Sequence, residues 1–99
     1  MLTTKQRAYL RSLANPLSDT LLIGKDGMTE QVRRQLEQLL DAHELVKGKV
    51  LNNSLLSPYE ASNALCAETG AEPVQCIGNK FVVYRPASEQ EKRKIVLPK

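Results

Sequence analysis

The order of sequence patterns predicts an α/β chain of the two-layer α+β kind: helix, strand, helix, strand, helix, strand, strand, with one four-stranded mixed sheet. Three observations carry this. Thr3 with Gln6, and Ser57 with Glu60, have capping-box spacing, so each opens a helix. Gly78-Asn79 separates two short runs rich in Val, Ile and Phe, which is a tight-hairpin signal and makes those strands antiparallel. A segment with a clean apolar stripe lies between two strand-like runs, and such crossovers are right-handed and make parallel pairs.

The first helix starts after Thr3. It carries Leu10, Leu13 and Ala14 on one side, with Arg7 and Arg11 sharing a face four residues apart. Asn15-Pro16 ends it, because a residue before proline avoids the helical region. Thr20 to Ile23 reads as a short buried strand. Gly24-Lys25-Asp26-Gly27 is a turn with a glycine at each end, and Thr29 caps a second helix whose stripe is Val32, Leu36, Leu39 and Leu40. Glu44 to Asn52 reads as a strand in which Val46, Gly48 and Val50 alternate with Lys47 and Lys49. Pro58 suits the first position of the third helix, Ala61, Ala64 and Leu65 extend it, and Gly70 caps its end. Val74 to Ile77 and Phe81 to Arg85 form the hairpin, and Pro86 ends it. The domain is therefore expected over residues 1–86. Residues 87–99 are expected to be a charged, partly mobile tail, in which Ile95-Val96-Leu97 is an apolar patch able to dock back.

The chain has 99 residues, 41% hydrophobic and 25% charged, an ordinary globular balance. With no Trp and one Phe, the core must be built from Leu, Val, Ile and Ala. A chain this short buries about two-thirds of its unfolded surface, which leaves no room for a deep substrate cavity. Cys66 and Cys76 are too few for a disulfide framework and read as small core hydrophobes in a reducing compartment. No apolar run approaches a membrane span, and no apolar stretch follows the basic N-terminus, so the expected location is the cytoplasm. His43 has no partner acid or nucleophile in the pattern, the carboxylates show no paired arrangement, and Ser57 is explained as a cap. No catalytic residue, metal site or cofactor is expected, and nothing demands an oligomer.

Fourteen Lys and Arg face eleven Asp and Glu, a formal charge of +3. Distribution matters more than the total: residues 1–18 carry Lys5, Arg7 and Arg11 and no acid, the local excess a polyanion partner requires. These cations read equally as a solvated helix face. Gly24 to Gly27 is the most informative segment. Two glycines allow a sharp turn and close approach of a ligand, the amides of the following helix favour an anion, and Lys25 adds a charge. Such a loop clamps a nucleic-acid backbone in KH domains. The bare spacing also fits a plain structural turn. It is neither a Walker A loop nor a dinucleotide fingerprint.

The chain resembles a YhbY-like member of the CRM domain family. The resemblance lies in Leu2-Thr3-Thr4-Lys5-Gln6-Arg7, Leu10-Arg11-Ser12-Leu13-Ala14, Ile23-Gly24-Lys25-Asp26-Gly27 with the helix after it, Glu44-Leu45-Val46-Lys47, Val50-Leu51, Val74-Gln75-Cys76-Ile77-Gly78-Asn79-Lys80, Val82-Val83-Tyr84-Arg85-Pro86 and Arg93-Lys94-Ile95. It implies a fold similar to the C-terminal domain of translation initiation factor three. It also implies a non-catalytic role on ribosomal RNA or its precursors in large-subunit assembly. The RNA-binding surface it implies is the GXXG loop, Gly24, Lys25, Asp26 and Gly27, with nearby basic residues, for which Lys5, Arg7, Arg11 and Arg85 are the candidates. Gly48 departs from the family pattern, where a larger apolar residue is expected, and predicts looser local packing. A competing reading makes the chain a protein-interaction module that docks on a ribosomal protein through the Ile95-Val96-Leu97 patch.

Overall fold

The computed structural model describes residues 2–98 other than 26, 28, 53 and 55. Its elements are α1 (Thr4–Ala14), β1 (Leu21–Ile23), α2 (Glu30–His43), β2 (Leu45–Val50), α3 (Pro58–Thr69), β3 (Glu72–Ile77), β4 (Lys80–Tyr84) and a short 3-10 turn (Gln90–Lys92). Both capping boxes form: Thr3 accepts from the Gln6 amide, Ser57 from the Glu60 amide, and the Gln6 and Glu60 side chains reach back. Gly70 ends α3 in the left-handed conformation, as its lack of a Cβ permits.

The sheet order is β1-β2-β4-β3. β1 is parallel to β2, as a crossover through α2 requires, and β4 is antiparallel to both β2 and β3. Because side chains alternate along a strand, each face buries its own set. Leu21, Ile23, Val46, Val50, Phe81 and Val83 pack with Leu36 and Leu40 of α2 and Ala61 and Leu65 of α3. On the other face Leu45, Val82, Tyr84 and Val74 pack with Leu2, Leu10 and Ala14. The sheet and the α2–α3 layer thus form the body, and α1 covers part of the opposite face. No helix among the described residues is long and apolar enough to cross a membrane.

Several details differ from the sequence expectation, strand ends among them. Glu44 does not start β2. It caps α2 at φ 67°, with its amide on the Leu40 carbonyl, and is buried. Its carboxylate accepts from the backbone amides of Ala87 (3.1 Å), Lys94 (2.5 Å) and Ile95 (2.9 Å). The segment after Pro86 therefore lies against the domain: Ala87 is fully buried, Arg93 donates to the Ala87 carbonyl at 2.9 Å, and Ile95 and Leu97 pack on the second core. Only Val96 of the apolar patch points outward, so the patch is turned inward rather than offered to a partner. Gln6 donates to the Pro98 carbonyl at 3.0 Å and ties this segment to α1.

Gly48 does not loosen the packing. It is paired with Phe81, whose ring lies over it so closely that a Cβ there would stand 2.3 Å from Cζ. The ring fills the volume that a larger residue would occupy. Cys76 is not a core residue. β3 is an edge strand, and the thiol sits on its exposed outer end, while Cys66 is half-buried against the α2–α3 core.

Candidate nucleic-acid interface

The Gly24–Gly27 loop leaves β1 at one end of the sheet and enters α2 through the Thr29 cap, which accepts from the Val32 amide at 3.1 Å. The Gly27 amide turns back onto the Gly24 carbonyl at 3.0 Å, and Gly27 has φ +66°. That conformation costs an ordinary side chain about 1 kcal/mol or more, so the second glycine is required by the turn itself. A Cβ on Gly24 would lie 3.9 Å from Leu51 and one on Gly27 3.7 Å from Leu56, so the loop rests on the segment between β2 and α3. Lys25 is exposed. Asp26 lies outside the described residues. A polar hollow of about 290 Å³ runs from the loop along α2, past Thr29, Gln31 and Gln35. The amides of the first turn of α2 give this end a partial positive charge.

Beyond the loop the α2 surface is self-neutralised. Glu30 is hydrogen-bonded by Arg33 and, at 3.3 Å, by Arg34, and Arg33 also reaches Glu37 at 3.2 Å. The Arg33 hydrogen bond, followed by the charges of both arginines, holds the Glu30 carboxyl below the usual range.

The cations without an acid partner lie elsewhere. Among the described residues Lys5, Arg7, Arg11, Lys25, Lys47, Lys49, Arg93 and Lys94 make no ion pair, and the first six lie on the loop, α1 and the sheet. Arg7 and Arg11 share one face of α1, and Arg7 donates to the Pro73 carbonyl of β3 at 3.3 Å. Lys5 is exposed on a different side of the helix, as its spacing from Arg7 dictates. Lys47 and Lys49 project from the sheet face that α1 covers only in part. Register puts Lys49 in a row with Leu22 and Lys80, and Lys80 with Ile77. This row crosses all four strands on the open end of the sheet nearest the glycine loop, with Leu22 54% and Ile77 64% exposed. Lys80 is paired with Asp19 at 3.4 Å.

Arg85 is not part of this surface. It follows Tyr84, which pairs with Leu45 at the far end of the sheet, five residues of strand from Val50, or about 17 Å. Its guanidinium donates to the Thr69 carbonyl at 2.7 Å and to Asp41 at 3.2 Å, and only 18% of the side chain is exposed. Asp41, which also accepts from Ser88, has its carboxyl lowered first by that hydrogen bond and then by Arg85. Among the described residues no group of three His, Cys, Asp or Glu side chains is placed to hold a metal ion.

A second hollow, of about 250 Å³, wraps the free edge of β3 between α1 and α3. Arg7, Tyr59, Asn63, Gln75 and Cys76 line it. Neither Tyr59 nor Asn63 stands out from the sequence patterns, because Tyr59 is absorbed into the Ser57-Pro58-Tyr59-Glu60 helix start. The available signal was spacing: Tyr59 and Asn63 are four apart and fall off the Ala61–Leu65 stripe.

Residues 2–85 match the CRS1/YhbY (CRM) domain. The chain belongs to that family. Among its relatives, a Haemophilus influenzae protein named as an RNA-binding protein is 40% identical over 98 residues, covering 99% of this chain and 96% of the relative. Bacillus subtilis YqeI, named a probable RNA-binding protein, is 36% identical over 98 residues, covering 99% and 100%. The solution structure of Staphylococcus aureus SAV1595 superposes with a TM-score of 0.78 at 39% identity, covering 99% of this chain and all of the other. The glycine loop and the Arg7–Arg11 helix both lie inside the CRM match, as does the whole sheet.

Proposed function

We propose that this CRM domain is a cytoplasmic, non-catalytic RNA-binding protein, acting as a monomer on RNA of the large ribosomal subunit or its precursor. The observation that carries the reading is the left-handed Gly27 turn at the N-terminus of α2, beside an exposed Lys25. There the glycines at 24 and 27 carry no side chain, which lets an RNA backbone come close to main-chain amides. The unpaired cations of α1 and of the open sheet face extend the electrostatic footprint away from the loop. Arg33 and Arg34 are occupied by Glu30, and Arg85 by Asp41, so they are left out of the clamp. The RNA-binding names of close relatives support the ligand class. The large-subunit assignment is what the family resemblance implies.

The test is affinity for large-subunit precursor RNA at two salt concentrations. If Arg7, Arg11, Lys25 and Lys49 meet four phosphates, affinity falls about 50-fold between 50 and 200 mM salt, at a slope of roughly 0.7 per phosphate on single-stranded segments. The double variant Lys25→Ala, Gly27→Asp removes a cation and adds a carboxylate at the turn, where Asp tolerates a positive φ better than most residues. It should bind at least about tenfold more weakly, with a shallower salt slope. Circular dichroism checks that it is folded. Equal binding by the folded variant at both salts would refute the clamp. Equal affinity for an unrelated RNA of the same length would refute the large-subunit assignment.

A further inference from the structure

We propose that the hollow around the free edge of β3 takes one unpaired nucleobase of the bound RNA, stacked on Tyr59, with the adjoining phosphate on Arg7. This rests on the RNA-binding reading and deepens it, because the glycine loop reads only the backbone. The chain has three tyrosines and one phenylalanine. Phe81 and Tyr84 are buried, whereas Tyr59 is 62% exposed and the most open aromatic ring among the described residues. Bases splayed out of a duplex are held by stacking on such rings and by hydrogen bonds to their edges.

The surroundings supply those bonds. Asn63, one helical turn beyond Tyr59, and Gln75 on β3 bring two amide side chains, each with donors and an acceptor, to opposite sides of the hollow. The edge strand adds main-chain groups that no neighbouring strand uses. Arg7 spends one of its five donors on the Pro73 carbonyl, which fixes the guanidinium at the rim and leaves the rest for a phosphate. Among the described residues no carboxylate lines the hollow. Its volume, about 250 Å³, is below that of drug-sized pockets and suits a flat ring.

The same edge argues against the other occupant of a free strand, an added peptide strand. The register of β3 shifts between Pro73 and Gln75, and a bulge beside a proline breaks the regular ladder that strand addition needs. The bulge is also what turns Val74 into the core while Gln75 stays at the rim. The hollow can be reached from the loop. Gly27 rests on Leu56, three residues before Tyr59, so one strand of RNA passes from the clamp over the start of α3 to the ring.

The experiment uses fluorescence anisotropy with a short single-stranded oligoribonucleotide of mixed sequence and with an abasic strand of the same length. The proteins are the full chain, Tyr59→Leu, Tyr59→Phe and the Lys25→Ala, Gly27→Asp variant. Tyr59→Leu should weaken binding of the base-bearing strand by about 5- to 150-fold, the range for one lost base–aromatic stack. It should leave the abasic strand unaffected, and Tyr59→Phe should keep the wild-type affinity for both. A second readout is alkylation of Cys76, which a base in the hollow should slow. Burial pushes the Cys66 thiol up to about 11, so it stays protonated and silent. The proposal is overturned if Tyr59→Leu weakens both strands equally or neither, or if the base-bearing strand leaves Cys76 alkylation unchanged. In those cases loss of binding in the loop variant keeps the RNA clamp standing. If wild type binds neither strand, the RNA reading falls too.

Discussion

Glu44→Gln lowers folding stability by about 2–4 kcal/mol and frees the segment after Pro86. A charged acceptor makes hydrogen bonds worth roughly 1.5–3 kcal/mol each, and Glu44 receives three from the backbone of that segment. An amide in its place turns an NH2 group toward at least one of those N–H groups. The loss stops short of the full sum because the freed amides reach water when the segment lifts. Urea unfolding should show a lower midpoint and a smaller slope, since the variant's native state already exposes part of the second core. An unchanged midpoint would show that the carboxylate holds nothing.

The same group sets an acid limit. Burial alone would raise its pKa. The amides of Lys94, Ile95 and Ala87 and the charge of Arg93 outweigh that and hold it below the ordinary glutamate value. A carboxyl lowered in the folded state contributes stability that is complete above the unfolded pKa, about 4.3, and fades as pH drops through the folded value. Wild type should therefore lose this contribution in acid. Glu44→Gln should lack that part of the pH dependence, while the parts carried by Asp41, Glu30 and Glu60 remain.

Gly48→Ala is expected to cost about 2–3 kcal/mol, a large penalty for one methyl group. The added carbon would meet the Phe81 ring at 2.3, 2.7 and 2.8 Å, well inside contact distance. Phe81 is fully buried among Leu21, Val46 and Val83, so the ring has nowhere to go without moving the core. For a chain of this length the melting temperature should fall by roughly 10 °C. Phe81→Leu alone destabilises by leaving a void. Combined with Gly48→Ala it should cost less than the sum of the two, with a coupling of about 1 kcal/mol or more. Strict additivity in this cycle would mean that the two positions do not share the volume.

These two sites also mark where the sequence stops being legible. The helix starts at Thr3 and Ser57, the Gly70 cap and the hairpin at Gly78-Asn79 are read correctly because each depends on residues within four positions of one another. The Gly48–Phe81 pair depends on strand register across 33 positions, so alternation along β2 shows only a missing side chain and not what replaces it. The Glu44 contacts span 43 to 51 positions. Charge composition along residues 87–94 therefore suggests a free tail, although the bonds that tie it to Glu44 are made by main-chain amides, which composition does not encode. The candidate interface divides in the same way. The glycine loop is visible because turn chemistry is local. Arg85 reads as a surface cation until Asp41 and Thr69, distant in sequence, are brought to it. Tyr59 is masked by a helix-start motif that explains its neighbours but leaves its ring without a role.

The row Leu22, Lys49, Lys80 and Ile77 has a consequence for solubility. An open sheet face with apolar side chains at both edges is the kind of surface that stacks on a copy of itself. Here the unpaired ammonium of Lys49 and that of Lys80, paired with Asp19, stand between the apolar ends, and stacking two such faces would strip water from both. Lys49, which suits a polyanion, thus also acts as a gatekeeper against self-association, and a change that removes it trades RNA affinity and dispersal together.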